Sequence, residues 1–149
     1  MPMDKWILEE NEDDYPISEE SAAGSVKELL GFYKIRVDKL ENKEQATALS
    51  QALEHLQEAY RMGTLENRRN EDGGIEVVQT IKNGKDSIKY RELVARDKRV
   101  MDNYGQNEYY QKQQALLGKL CGLGADVIGN LKRDDLRVSE ALAFVFFMA

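Results

Sequence analysis

The chain has a single cysteine, Cys121, and a single histidine, His55. One cysteine rules out an intrachain disulfide and suits a reducing compartment. A metal centre needs converging His, Cys or carboxylate ligands, and neither residue has a companion at ligand spacing, so no metal or cofactor is expected. His55 is expected on a helix surface, and Cys121, next to Leu120, in an ordinary core role. No local signature pairs them as a nucleophile and its base. No apolar run approaches the roughly 20 residues that span a bilayer. The opening residues, Met1 to Trp6, lack the basic start and apolar stretch of a secretory signal, so a cytoplasmic protein with no membrane partner is expected. Basic excess is missing too: the net charge is −6, and residues 1–20 hold eight carboxylates against Lys5 alone, leaving residues 21–149 near neutral at +1. Binding driven by phosphate contacts has little support in such a body, and no nucleic-acid partner is expected.

Two further patterns fall short of a site. Gly118, Gly122, Gly124 and Gly129 invite comparison with a phosphate loop, but a dinucleotide fingerprint begun at Gly122 would need glycine where Val127 stands. A helix-breaking turn accounts for these glycines. The acidic leader lacks the alternating ligands and central glycine of a calcium loop, and reads as a solvated arm. No catalytic residue emerges, so a non-enzymatic, protein-binding role is expected.

What the chain does have is amphipathic periodicity. Its 149 residues suffice for one core, and 42% hydrophobic with 32% charged residues is a globular composition. After the arm at 1–20, Ser18, Ser21 or Ser25 can start a helix whose stripe is Val26, Leu29, Leu30, Tyr33 and Val37, ending near Lys34. A second helix over 43–62 carries Ala46, Leu49, Leu53, Leu56 and Tyr60, with Gly63 placed to stop it. Together they predict a helical hairpin over 21–72. The polar stretch 67–74 reads as a boundary. Beyond it Ile75, Val77, Gln79 and Ile81 alternate, and Ile88 and Tyr90 resume the pattern after Asn83-Gly84, a pair suited to a type I′ turn. That turn sets Val77 opposite Tyr90 and Gln79 opposite Ile88. Two strands alone are marginal in water, so this hairpin must pack on helices or gain a partner strand.

Helical spacing then returns in Leu93, Val100, Met101 and Tyr104, and again in Leu116, Leu117, Leu120 and Leu123. A short helix over 125–131 and a last one capped by Asp134 or Asp135, carrying Leu136, Val138, Ala141, Leu142 and Val145, complete the pattern. The expected fold class is α+β and mostly helical: an N-terminal helical hairpin, one β-hairpin and a C-terminal bundle of short helices over 75–149.

Residues 89–99 hold five cations, Lys89, Arg91, Arg96, Lys98 and Arg99, against Glu92 and Asp97. Two readings stand: the charges pair with one another across the strand end, or they form a docking face for an acidic partner or for the acidic arm. Tyr109, Tyr110, Phe144, Phe146 and Phe147 are either core or a surface for apolar helices. The expected partner-binding set is Arg91, Arg96, Lys98, Arg99, Tyr109, Tyr110, Phe144 and Phe147.

The run Tyr90-Arg91-Glu92-Leu93-Val94-Ala95-Arg96-Asp97-Lys98-Arg99, a strand ending in Arg-Glu and followed by Asp and a basic residue, resembles small tail assembly chaperones of contractile-tailed bacteriophages. The similarity continues through the leucines of 116–123, the segment 127–136 and a final apolar helix with Phe144, so it spans residues 75–148. It departs from that pattern in the longer region before Gly74 and in Leu93, where the family commonly has proline. The resemblance implies a virion-assembly factor, made in the host cytoplasm, that binds tape-measure and tail-tube proteins. A homo-oligomer is left open by the sequence. The resemblance also implies a longer frameshifted product for many members, with a slippery run expected within the last twenty or so codons, for example over Phe146-Phe147. The alternative is a small acidic binding or regulatory module, including an inhibitor that mimics nucleic acid.

Overall fold

The computed structural model describes residues 14–149. Helix α1 (Glu19–Phe32) starts at Ser18, whose hydroxyl accepts from the Ser21 N–H at 3.1 Å, and carries Glu19 and Glu20 in its first turn. Both features satisfy the exposed N–H groups and positive dipole of a helix start. The helix buries Ala22, Val26 and Leu29 and stops at Phe32, so Val37 does not continue its stripe; it begins a separate short turn, Val37–Lys39. Asn42 caps α2 (Lys43–Arg61), accepting from Glu44 and Gln45 N–H at 2.9 and 3.1 Å. Gly63, with φ +76°, turns the chain out of α2 as expected.

The stretch 67–74 is not a boundary. Its first three residues belong to strand β1 (Leu65–Arg69), which pairs antiparallel with β2 (Ile75–Ile81), and the rest form the tight turn that joins the two. Strand β3 (Asp86–Tyr90) completes a three-stranded sheet of order β1-β2-β3. The expected pairs Val77 with Tyr90 and Gln79 with Ile88 are present, and Asn83 and Gly84 both have positive φ, with Lys85 N–H closing onto the Lys82 carbonyl at 3.2 Å. Lys82 shares the left-handed backbone at φ 55°, which the sequence did not signal.

After β3, residues Ala95–Asn103 wind as a 3-10 helix in place of an α-helix. Helix α3 (Tyr109–Cys121) ends at Gly122, leaving Leu123 outside the stripe and 55% exposed. A Cβ on Gly118 would lie 2.4 Å from the Gly124 backbone, so the close turn into α4 (Ala125–Gly129) requires glycine there. Helix α5 (Arg133–Met148) has no side-chain cap at all: neither Asp134 nor Asp135 serves, and the Asp135 carboxylate instead accepts from Lys82 N–H at 3.1 Å.

Helix α5 packs on α2, α3 and α4, and its Leu142, Ala143, Val145 and Phe146 are fully buried in one cluster with residues of α1, α2, β1, β2, β3, α3 and α4. Three polar side chains lie inside that cluster with no exposure, Gln79, Tyr90 and Ser139 being linked by hydrogen bonds of 2.8–3.1 Å, while Gln79 Nε2 donates to the Asp135 carbonyl at 2.8 Å. A satisfied buried network of this kind fixes the register of sheet against helix, because any slip strands a polar group. Mostly helical α+β is therefore the fold, with a sheet one strand wider than expected.

Candidate docking surface

Arg91 leaves the end of β3 and meets Asp97 in a two-pronged pair, Nη1 and Nη2 each 2.8 Å from a carboxylate oxygen. The Asp97 side chain is 1% exposed and also accepts from Val94 N–H at 2.9 Å. The Arg91 guanidinium holds the Asp97 carboxyl below the usual range, and Asp97 in turn raises Arg91. Nearby, the Tyr33 hydroxyl accepts from Leu93 N–H at 2.9 Å, and Arg91 N–H donates to the Leu120 carbonyl at 3.2 Å. This staple joins β3, the 3-10 segment, α1 and α3. It also gives physical content to the Arg-Glu…Asp pattern: the arginine and the aspartate are partners, so for Arg91 the mutual-pairing reading holds. Lys98 is likewise engaged, its ammonium donating to the carbonyls of Phe147 and Ala149. A lysine at those carbonyls supplies the closure that the apolar sequence 144–149 lacks. Arg96 and Arg99 are exposed.

The aromatic residues gather beside this staple. Tyr109 packs edge-on against Phe147 at 5.7 Å between ring centres and against Tyr110 at 5.9 Å. Tyr109 is 40% exposed and Tyr110 62%. Phe147 is half-buried, whereas Phe146 is wholly inside and meets Tyr33 edge-on at 5.9 Å between ring centres. Phe144, half-buried, faces α2, bordering a shallow groove with Ala48, Gln51 and His55. Glu140 precedes it by one turn on α5, and burial raises its carboxyl above the usual range. Burial also raises the Tyr109 phenol, with the Glu140 charge adding to the shift.

Of the expected set, Tyr109, Tyr110, Phe147 and Lys98 therefore come together at the last turn of α5. Phe144 lies on the α2 side of the same helix, Arg91 is committed to the staple, and Arg96 and Arg99 are free at the surface. Glu140 went unnoticed in the sequence, although it stands four and seven residues before Phe144 and Phe147, the spacing of one helix face. Val94, 41% exposed beside the staple, was also missed.

The end of the leader that is described does not lie on the cationic segment. Tyr15 stacks over the Arg61 guanidinium at 3.9 Å and donates to Glu58, and Ile17 N–H bonds the Arg61 carbonyl at 3.0 Å, all at the last turn of α2. By the strand register this is the far end of the sheet from Arg91. Residues 1–13 of the expected arm lie outside the described residues.

His55 is exposed and Cys121 half-buried. Among the described residues no cluster of His, Cys, Asp and Glu is placed to hold a metal, and no helix is long and apolar enough to cross a membrane. No family model, curated protein or solved structure matches the chain.

Proposed function

We propose that this protein is a tail assembly chaperone whose docking surface is the ring cluster Tyr109, Tyr110 and Phe147 at the end of α5. The observation that carries the reading is the exposure of two tyrosines in edge-to-face contact, one of them packed on Phe147, with Arg96 and Arg99 exposed on the neighbouring segment. Aromatic rings flanked by arginine are the composition of a protein-binding centre, and they suit an apolar helix stripe laid across them. A tape-measure protein is a long helical chain that needs such stripes covered until the tube encloses it. Arg96 and Arg99 then steer carboxylates of the incoming helix, and Tyr109, Tyr110 and Phe147 receive its apolar face.

The test is co-expression with the tape-measure protein of the same genome, followed by co-purification. Wild-type chain keeps the partner in solution. Tyr110→Ser, at a residue already facing water, retains the fold and loses the partner. A genome without a tape-measure gene beside this one, or a partner that stays insoluble with wild-type chain, overturns the reading.

A further inference from the structure

Strand β3 is an edge of the sheet, and the backbone register shows which of its groups are left over. Asn70 N–H bonds the Gly74 carbonyl at 2.9 Å and Thr80 N–H the Thr64 carbonyl at 2.8 Å. In an antiparallel ladder the bonded residues alternate, so the even-numbered residues of β2 turn their backbone groups to β1 and the odd-numbered ones to β3. On β3 it is therefore Asp86, Ile88 and Tyr90 that face β2, while Ser87, Lys89 and the following Arg91 face outward. The Leu120 carbonyl of α3 takes the Arg91 N–H at 3.2 Å, and the Asp86 carboxylate takes the Ser87 N–H at 2.8 Å. No group among the described residues takes the Lys89 N–H or bonds the carbonyls of Ser87 and Lys89.

Beside this open edge lies a groove of about 790 Å³, with Ser87 and Ile88 on one side and Leu123, Val127 and Leu131 around α4 on the other. Leu123 is 55% exposed and Val127 38%. The charges that line the groove balance, Lys82, Lys85 and Lys132 against Asp86, Asp126 and Asp135, so it selects neither an acidic nor a basic occupant. Unpaired strand groups next to exposed aliphatic side chains are the two halves of a strand-addition site. We propose that this groove binds an extended, uncharged segment of another protein, which joins β3 as a fourth strand. Its main chain pairs with Ser87 and Lys89, and its side chain opposite Ile88 falls on the inner face, against Leu123, Val127 and Leu131. The Leu120 carbonyl closes the edge at Arg91, so the segment is short.

A second copy of the chain is a poor occupant. Antiparallel self-pairing through the outward groups sets Lys89 opposite Lys89, or Lys85 opposite Lys89, or Lys85 opposite Arg91, depending on register. Like charges directly opposite are destabilising, and lysines on an edge strand commonly prevent such pairing. The site is separate from the ring cluster of Tyr109, Tyr110 and Phe147 and does not depend on the tail-assembly reading.

Amide exchange in the free protein is the first measurement: Lys89 N–H should exchange much faster than Ile88 and Tyr90 N–H at every protein concentration. A capped peptide Thr-Val-Thr-Val-Thr, added to isotope-labelled protein, should shift the amides of Ser87, Lys89 and Val127 saturably, slow the Lys89 exchange and depend little on salt. Methylating the threonine nitrogens, which face β3 when the valines enter the groove, should weaken binding roughly tenfold, the effect of one or two lost hydrogen bonds. Methylating the valine nitrogens, which point away, should leave it unchanged. Val127→Asp, at an exposed helix position, should weaken binding with the circular dichroism unaltered. Lys89→Pro should do the same, since proline is tolerated on an edge strand where the N–H points out. Four results overturn the inference: no saturable shift, equal binding of the threonine-methylated peptide, Lys89 protection in the free protein that survives dilution, which would place the chain itself on the edge, and protection lost on dilution, which would place a second copy there.

Discussion

The two ends of the sheet are built from different chemistry. At the Arg91 end, charge-assisted hydrogen bonds and ring contacts tie β3, the 3-10 segment, α1 and the end of α5 into one piece. At the hairpin-turn end, three consecutive left-handed residues, Lys82 to Gly84, curl the backbone, and the neighbouring grooves are lined by both apolar and charged side chains, among them Ile88, Leu131 and Val138 beside Lys82, Asp134 and Arg137. Edge-on ring contacts at the first end hold Tyr109 against Tyr110 and Phe147, so the partner binding proposed there would lose little conformational freedom. Between the two ends, Gln79, Tyr90 and Ser139 hold the sheet to α5 and keep them in register.

Asp97→Ala should break the first end most severely. It removes both prongs on Arg91 and the bond to Val94, and we expect a loss of about 3 kcal/mol in a urea titration, since hydrogen bonds to charged groups are each worth ~1.5–3 kcal/mol. Because Arg91 holds the Asp97 carboxyl below its usual range, this stabilisation is complete above the unfolded carboxylate pKa, near ~4, and is lost as the pH falls through the lowered folded value. Unfolding followed from pH 7 downward should therefore show a steeper acid loss in wild type than in the variant. An equal acid slope would remove the staple from the account.

Gln79→Leu attacks the link between the ends. It leaves the Asp135 carbonyl and the hydroxyls of Tyr90 and Ser139 short of a partner, for about 2 kcal/mol of destabilisation by the same titration. Gly84→Val at the turn end should cost about 1 kcal/mol, because a β-branched residue resists the φ of +88° found there. Smallest and opposite in sign is Glu140→Gln. Burial raises this carboxyl, so its ionised form destabilises the fold and the protonated form does not. The variant should unfold a few tenths of a kcal/mol later than wild type at neutral pH, with the difference vanishing on acidification.

Local spacing marked part of each end and missed part of each. The β2-β3 register followed from alternation and Asn83-Gly84, and the start of α1 from its serines. Strand β1 escaped because Leu65 is its only apolar residue: on the same face Asn67 is half-buried and donates to the Ser25 carbonyl of α1 at 2.9 Å, and Arg69 is exposed, 3.6 Å from Glu28. A strand whose inner face is polar carries no period-two hydrophobic signal. The start of α5 misled for a related reason, since Asp135 serves a distant backbone group and not its own helix. Ring contact between Tyr109 and Phe147 joins residues far apart in sequence, and nothing in their spacing reveals it. The candidate docking residues were therefore legible as residue types, while their convergence was a product of the fold.

The central claim is that the tape-measure protein docks at one end of this sheet and not at the other. Isothermal titration of the tape-measure segment that co-purifies with wild-type chain into three proteins tests it most directly: wild type, Tyr110→Ser, and Met62→Asp, at an exposed residue that shares a groove with the β2-β3 turn. The account predicts at least a tenfold weaker affinity for Tyr110→Ser, about 1.4 kcal/mol, and wild-type affinity for Met62→Asp. Equal affinity for wild type and Tyr110→Ser, or a loss confined to Met62→Asp, would contradict it.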